Sequence, residues 1–376
     1  MRFAHLSDSH IGFRQYGLYE REEDFYRAFE KTVAKIIEEK PDFVLHSGDL
    51  FDAPKPQPRA LWVAQRCFSR LKEMGIPVYA ITGNHDVLLR RGAMPPQMLF
   101  RDMGVRLLTE EEPYVLHGNV FIGGIPYISR HSSDRLKEML TMLSEKARKH
   151  RRAVIMMHQG TDRHLPKAFE LEMADIPRNF HYYAMGHVHA RINESFGKGR
   201  LVYPGSSELW SANEYDDYRR NGKGFALVDL DGDEPVVQRV DVELEREILR
   251  ERIDTKRLED DVSKIRTKIS GLPKKPLLYL DIKDEGFERS ALHYMINSKL
   301  SGLALSVRTS FISLENDGKG RVSRSFDLPQ IDEIIRETIK DRKKADLASA
   351  LFRHLSEGND EQAAEVAEKF YGSVGA

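Results

Sequence analysis

The sequence predicts a layered α/β fold built around a metal site, and three observations carry that prediction. Apolar runs alternate with helical patterns from the first residues onward, as in folds whose helices pack on the faces of a sheet. Five of those runs end in metal-type residues. These are Asp8 and His10 after RFAHLS, Asp49 after DFVLHSG, Asn84 after VYAITG, His158 after AVIMM, and His187 and His189 after YYAMG. Ligands of open α/β sheets gather where strands reach their carboxyl ends. Two Asp, four His and one Asn brought to one sheet edge suit two divalent cations that share a carboxylate.

The elements follow in order. Strand one begins at Met1 or Arg2, and Phe25, Phe29, Val33 and Ile36–Ile37 then recur at helical spacing. A strand over Phe43–His46 precedes a helix from about Arg59 to Glu73 and a strand over Val78–Ile81. A helix over Asp134–Lys149 leads into Ala153–Met157, and Tyr182–Met185 is another short strand. Val120–Tyr127, Leu201–Tyr203, Gly224–Leu230 and Val236–Val242 look more hairpin-like, the last two meeting across the Asp231-Gly232 turn. A mixed sheet, or two sheets packed face to face, fits this better than a purely parallel one.

Near Glu243 the texture changes. A charged stretch, Glu243–Ile269, predicts a helix broken by Gly271-Leu272-Pro273. Leu277–Ile282, a helix over Arg289–Leu300 and a strand over Ala304–Ser313 complete a small αβ unit. The polar segment Glu315–Ser325 reads as a linker. Beyond it, Leu347, Leu351 and Leu355 line one helix, and Ala363, Val366 and Phe370 line a second, joined by a turn at Glu357–Asp360. A helical hairpin has too little core to stand alone and must dock on its own chain or on a partner. The resulting division is 1–242, 243–314, 315–326 and 327–376.

A chain of 376 residues allows two or three domains. Its 40% hydrophobic and 31% charged content is ordinary for a soluble protein, and a net charge of −1 neither favours nor excludes a polyanionic partner. The basic run Lys146–Arg152 reads as a solvated helix end. Cys67 is the single cysteine, so no internal disulfide forms, and reducing cytosol is the expected compartment. No membrane-length apolar stretch or removable leader is evident, so no membrane association is expected.

Strand periodicity explains the spacing of the metal-type residues. Side chains two apart share a face, so Asp8 and His10 approach one cation together, and His187 and His189 are similarly paired. Imidazole with carboxylate and no thiolate leans towards manganese. Asp49 can bridge the two ions through its two oxygens, while Asn84 would add coordination without adding negative charge. A cation pair would activate a water for in-line attack on phosphorus. His85 would protonate the leaving oxygen, oriented by Asp86. His5 and His46 lie inside strands and read as core histidines. Each Asp or Asn alone is as well explained as a turn former; the joint pattern is not.

In that order, DSHIG, GDLFD, GNHD, MHQG and GHVH resemble the calcineurin-like metallophosphoesterases over about residues 1–240. The opening MRFAHLSDSHIG, then GDLFDAPKP, HQG and YPGSSE at Tyr203–Glu208, are similar to the DNA double-strand-break repair nucleases of the SbcD and meiotic recombination eleven kind. That resemblance implies a two-sheet sandwich flanked by helices, with a small αβ cap domain and a C-terminal helical hairpin. It implies one metal on Asp8, His10, Asp49 and His189, a second on Asp49, Asn84, His158 and His187, and His85 as the acid. Asp52 departs from the pattern, since several relatives place a histidine there.

The family further implies two Mn²⁺ per subunit, with Mg²⁺ or other divalent cations as substitutes. Its activities are 3′-to-5′ exonuclease on duplex DNA and endonuclease on single strands. The cap, 243–314, would bind DNA, and residues 327–376 would bind an SMC-like coiled-coil ATPase of the SbcC type. A homodimer is implied through helices of the nuclease domain. Leu61, Trp62, Leu99 and Met103 are candidate contacts, with core packing as the competing reading for each. The implied setting is the prokaryotic cytosol, associated with the nucleoid. Arg14, Lys55 and Arg90–Arg91 are candidate phosphate contacts, with solvated surface as the plainer reading. Two rival functions share much of the pattern. One is a phosphodiesterase or phosphatase for small molecules or phosphoproteins. The other is a non-catalytic scaffold, but scaffolds lose ligands, and all seven residues and His85 are present here.

Overall fold

The computed structural model describes residues 1–87, 94–283, 289–312 and 341–356, together with 335, 339, 366–367 and 370. The chain forms two compact units, Met1–Ile312 and Ser313–Ala376. In the first, two six-stranded sheets face each other. Sheet one runs in the order β12 (Val236–Asp241), β11 (Gly224–Asp229), β1 (Arg2–Leu6), β2 (Phe43–Ser47), β3 (Val78–Ile81), β4 (Val105–Leu107). Sheet two runs β5 (Tyr114–His117), β6 (Val120–Ile125), β7 (Arg152–His158), β8 (Tyr182–Gly186), β10 (Gly199–Tyr203), β9 (Ile192–Phe196).

β1 to β4 pair in parallel, while β11 and β12 add antiparallel at the other edge. Phe3, Phe43, Leu45 and Ile81 from sheet one meet Ile122, Val154, Met156 and Tyr182 from sheet two in an interior that is apolar apart from His5 and its partners Tyr182 and Ser47. Helices α1 (Tyr19–Glu39) and α2 (Pro58–Glu73) cover the outer face of sheet one. α3 (Ser133–Ala147) covers that of sheet two. Covering both faces explains why β2 and β8 are buried at every residue. α1 buries Phe25, Phe29, Val33 and Ile36 along one stripe. Pro58 opens α2 at a position that needs no intrahelical N–H. The sandwich flanked by helices is the fold expected of the sequence.

The charged segment after Glu243 is corrected by the structure. Ile248–Asp254 is a strand, β13, and helix α5 starts only at Leu258 and ends at Ser270. The stretch looked helical because arginine and glutamate interrupt its apolar residues. In the fold Arg250 gives two hydrogen bonds, 2.7 and 2.9 Å, to Asp281 on the neighbouring strand, so its charge is absorbed by the sheet. β13, β14 (Leu277–Lys283) and β15 (Ser306–Ile312) pair in parallel. One face of this small sheet packs on α5 and α6 (Arg289–Leu300) through Ile253, Ile265, Leu280, Ile296 and neighbours. On the other face Ile248, Leu277 and Tyr279 pack on Leu209, Ala212, Tyr215 and Tyr218. Short strands β4, β5 and β9 and the seven-residue helix α4 (Tyr215–Asn221) carry too little periodicity to be read beforehand.

Four charged side chains tie α1 to the root of this cap. Arg21 is fully buried and donates to Asp24 at 2.7 Å and Glu208 at 3.0 Å. Arg246 donates to the same Asp24 at 2.8 Å. In the second unit, α7 (Arg342–Ser356) buries Ala345 and Ser349 and leaves Leu347 and Leu351 half-buried. The anticipated linker, most of the anticipated second helix, and Arg90–Arg91 lie outside the described residues. Among the described residues no helix is long and apolar enough to cross a membrane.

Candidate metal centre

β1, β2, β3, β7 and β8 all release their chains at one edge of the sandwich, and the seven residues sit on or just beyond those ends. Asp8, His10, Asp49 and His187 take left-handed φ values of 52°, 43°, 52° and 84°. Such backbone is disfavoured for side chains other than glycine and persists where its surroundings enforce it. Space is the second constraint. A Cβ on Gly186 would lie 2.0 Å from the Ser47 carbonyl, and one on Gly48 would lie 2.3 Å from the His158 ring. These glycines let the two sheets close on the site.

Ligand atoms of Asp8, His10 and His189 fall within 4.8 Å of one another, as do those of Asp49, His158 and His187. Asn84 joins the second group, its Oδ1 lying 3.2 Å from His158 Nε2 and 3.0 Å from His187 Nδ1. Asp49 lies between the groups, with Oδ2 at 3.2 Å from His158 Nε2 and 3.8 Å from His10 Nε2. All seven residues are therefore gathered in one pocket. His5 and His46 are core histidines, bonded to Tyr182 and Ser47 and to Ser9 respectively.

The donor set fits divalent cations. His10 Nε2 and His189 Nε2 face each other at 3.2 Å beside the Asp8 and Asp49 carboxylates. Two ring nitrogens at that distance hold either a shared proton or a cation. The same demand shows in protonation. Burial alone would lower the His158 pKa, yet Asp49 pushes it up to about 10. Burial alone would raise Asp49, yet His158 holds it well below the usual carboxylate range. A proton on His158 supplies the charge that a cation would bring. His187, by contrast, is pushed down to about 4 by burial and then by His158.

Around the pocket, His85 donates its backbone N–H to Asp49 Oδ1 at 2.8 Å. Its ring Nδ1 is bonded to the Asp52 carbonyl at 2.9 Å. The expected orienting role of Asp86 is thus corrected. Its oxygens accept backbone N–H groups of Leu50, Phe51 and Gly83, at 3.2, 3.1 and 2.9 Å. Asp86 therefore locks the Asp49 turn to the Asn84 turn, with its pKa pushed up to about 7 by burial and then by Asp49. Asp52 Oδ1 lies 3.4 Å from His10 Nδ1 and accepts Trp210 Nε1 at 3.2 Å.

Three acidic or basic partners escaped the sequence reading. Glu170 lies 3.6 Å from His187 Nε2. Glu214 accepts His189 Nδ1–H at 3.0 Å and is itself bonded to the buried Lys223. Burial opposes ionisation of Glu214, but Lys223 and His189 hold its pKa well below the ordinary range. Glu214 had a legible signal, the Ser211-x-x-Glu214 capping box. Glu170 and Lys223 had none.

The sequence profile of the calcineurin-like phosphoesterases matches residues 1–191, which include all seven ligand-type residues. The chain is 34% identical to a DNA double-strand break repair protein Mre11 of Methanococcus maripaludis, over 99% of this chain and 100% of that one. The chain belongs to the Mre11 family. A Methanocaldococcus jannaschii Mre11 is 38% identical over 76% of this chain and 77% of its own length. A solved structure from Thermus thermophilus is similar at 13% identity and a TM-score of 0.41, over 63% of this chain and 98% of that one. As an Mre11-family calcineurin-like phosphoesterase, the chain is a metal-dependent phosphodiesterase. Of the candidate dimer residues, Leu99 and Trp62 are about half exposed, while Leu61 and Met103 pack partly against the α1–α2 core.

Proposed function

We propose that this chain is a two-metal DNA nuclease that processes the ends of double-strand breaks. The observation that carries the reading is the convergence of seven ligand-type side chains from five strand ends. Asp8, His10, Asp49 and His189 hold one Mn²⁺, and Asp49, Asn84, His158 and His187 hold the other. The bound ions supply Lewis acidity to the phosphodiester and lower the pKa of water. The remaining work falls to the protein. Asp49 reaches both ligand groups, and its Oδ1 is fixed by the His85 N–H. The Asp52 carbonyl accepts the His85 Nδ1–H, so Nε2 is the nitrogen left to take up the second proton of an imidazolium and pass it to the leaving oxygen.

The activities are 3′-to-5′ exonuclease on duplex ends and endonuclease on single strands. Residues 243–314 form a DNA-binding cap. Residues 327–376 engage an SMC-like coiled-coil ATPase, and a homodimer forms through the surface around Leu61, Leu99 and Met103. The setting is the prokaryotic cytosol at the nucleoid.

The test compares manganese-dependent degradation of a labelled duplex with hydrolysis of bis-p-nitrophenyl phosphate. Hydrolysis of the small ester without duplex degradation would redirect the reading to a small-molecule phosphodiesterase. His85→Ala is expected to keep manganese affinity and lose ~10²–10⁴-fold in nuclease rate; full activity removes His85 from the mechanism. Deleting residues 327–376 is expected to abolish ATPase capture and spare the nuclease, and retained capture refutes that assignment.

A further inference from the structure

We infer that Glu214 is a positioning residue for the metal ligand His189, an inference that rests on the metal reading above. Glu214 closes the short 3₁₀ turn Ala212–Glu214 that leads into α4. Its Oε1 accepts the ring Nδ1–H of His189 and the backbone N–H of Ser211, both at 3.0 Å. Its Oε2 accepts Lys223 Nζ at 2.6 Å, Ser206 Oγ at 3.0 Å and the Trp210 N–H at 3.4 Å. Four groups other than the imidazole therefore fix this carboxylate, so the carboxylate sets the ring and not the reverse.

The consequence lies at the far nitrogen. With Nδ1–H committed to Glu214, Nε2 carries the lone pair, and it faces Asp8 Oδ1 at 3.7 Å and His10 Nε2 at 3.2 Å. A carboxylate on the outer nitrogen fixes tautomer and ring angle and raises ligand basicity. A capping box alone would explain the Ser211 bond. It would not explain a buried lysine on one side of the carboxylate and a ligand histidine on the other. The carrier segment is itself held rigid, because Leu209, Ala212, Tyr215 and Tyr218 pack against Ile248, Leu277 and Tyr279 of the cap sheet.

The test is a calorimetric Mn²⁺ titration of the full chain as wild type, Glu214→Gln and Ser211→Ala. Glu214→Gln is expected to bind manganese ~10–100-fold more weakly, and Ser211→Ala, which removes only the reciprocal cap, to stay within about twofold of wild type. Equal affinity of Glu214→Gln and wild type overturns the inference. So does an equal loss in Ser211→Ala, which would reduce Glu214 to a helix cap. A wild type that binds no Mn²⁺ instead defeats the metal reading itself. Should Glu214→Gln fail to fold, histidine nitrogen NMR of the zinc-loaded wild type decides. A hydrogen-bonded, slowly exchanging proton on His189 Nδ1 supports the inference, and one that exchanges freely with water, or one on Nε2, overturns it.

Discussion

Of the six described non-glycine residues with left-handed φ, four are Asp8, His10, Asp49 and His187; among the described residues of the cap, Ile248–Ile312, only Gly302 is left-handed. The sandwich thus concentrates strained backbone at the strand ends that carry chemistry, while the cap is a regular parallel sheet over an aliphatic core. Each strained residue costs on the order of 1–3 kcal/mol and persists only where packing over-determines it. The lesson is that the pocket is held together by the close contact of two sheets, and the cap by ordinary burial. Changes at the two places should therefore fail in different ways.

Gly186→Ala should give the largest effect. Its new Cβ would meet the Ser47 carbonyl at 2.0 Å. We expect a loss of about 3 kcal/mol or more in denaturant unfolding, together with loss of manganese binding. Near-normal stability would show that the two sheets can part at no cost.

The next effect is pH-dependent. His5 sits between the sheets with its pKa lowered from 6.5 to about 3, by burial first and then by His46. His46 itself is lowered to about 4 by burial. Below pH 6.5 the unfolded chain takes up protons that the fold refuses, so stability falls as pH drops. By pH 4 the His5 share reaches about 3 kcal/mol. His5→Gln should flatten the unfolding midpoint between pH 6.5 and 4, and an unchanged slope would acquit this residue.

In the cap, Gly302 has φ +79° with nothing within 4 Å of the place a methyl group would take. Gly302→Ala should cost only about 1 kcal/mol of backbone strain and leave manganese affinity alone. A loss of metal binding there would mean that cap and pocket are far more tightly coupled than their packing implies. Smallest of all in stability is Leu99→Ser, at a half-exposed site. It should stay within about 0.5 kcal/mol of wild type yet shift sedimentation towards monomer. An unmoved sedimentation profile removes Leu99 from the proposed dimer surface.

The pocket was more legible in the sequence than the cap. Metal-type residues at the ends of apolar strands announce themselves, because a buried Asp or His needs a partner and the strand pattern says where it lies. β13 stayed hidden, because Arg250, Glu251 and Arg252 look like a solvated helix until Asp281 is placed beside Arg250. Asp86 misleads for a related reason. Its hydrogen bonds go to backbone groups of residues 50 and 51, a pairing that sequence proximity to His85 conceals. Lys223 and Glu170 are ordinary surface-type residues in sequence, and only tertiary folding turns them inward.

The knot of Arg21, Asp24, Glu208 and Arg246 bears on how the molecule behaves in brine. Its two positive and two negative groups cancel, and all four are buried. Mobile ions screen buried pairs far less than exposed ones, whereas grip on a polyanion weakens steeply as salt rises. On the proposed function, raising ionic strength should therefore release DNA while the angle between sandwich and cap stays fixed.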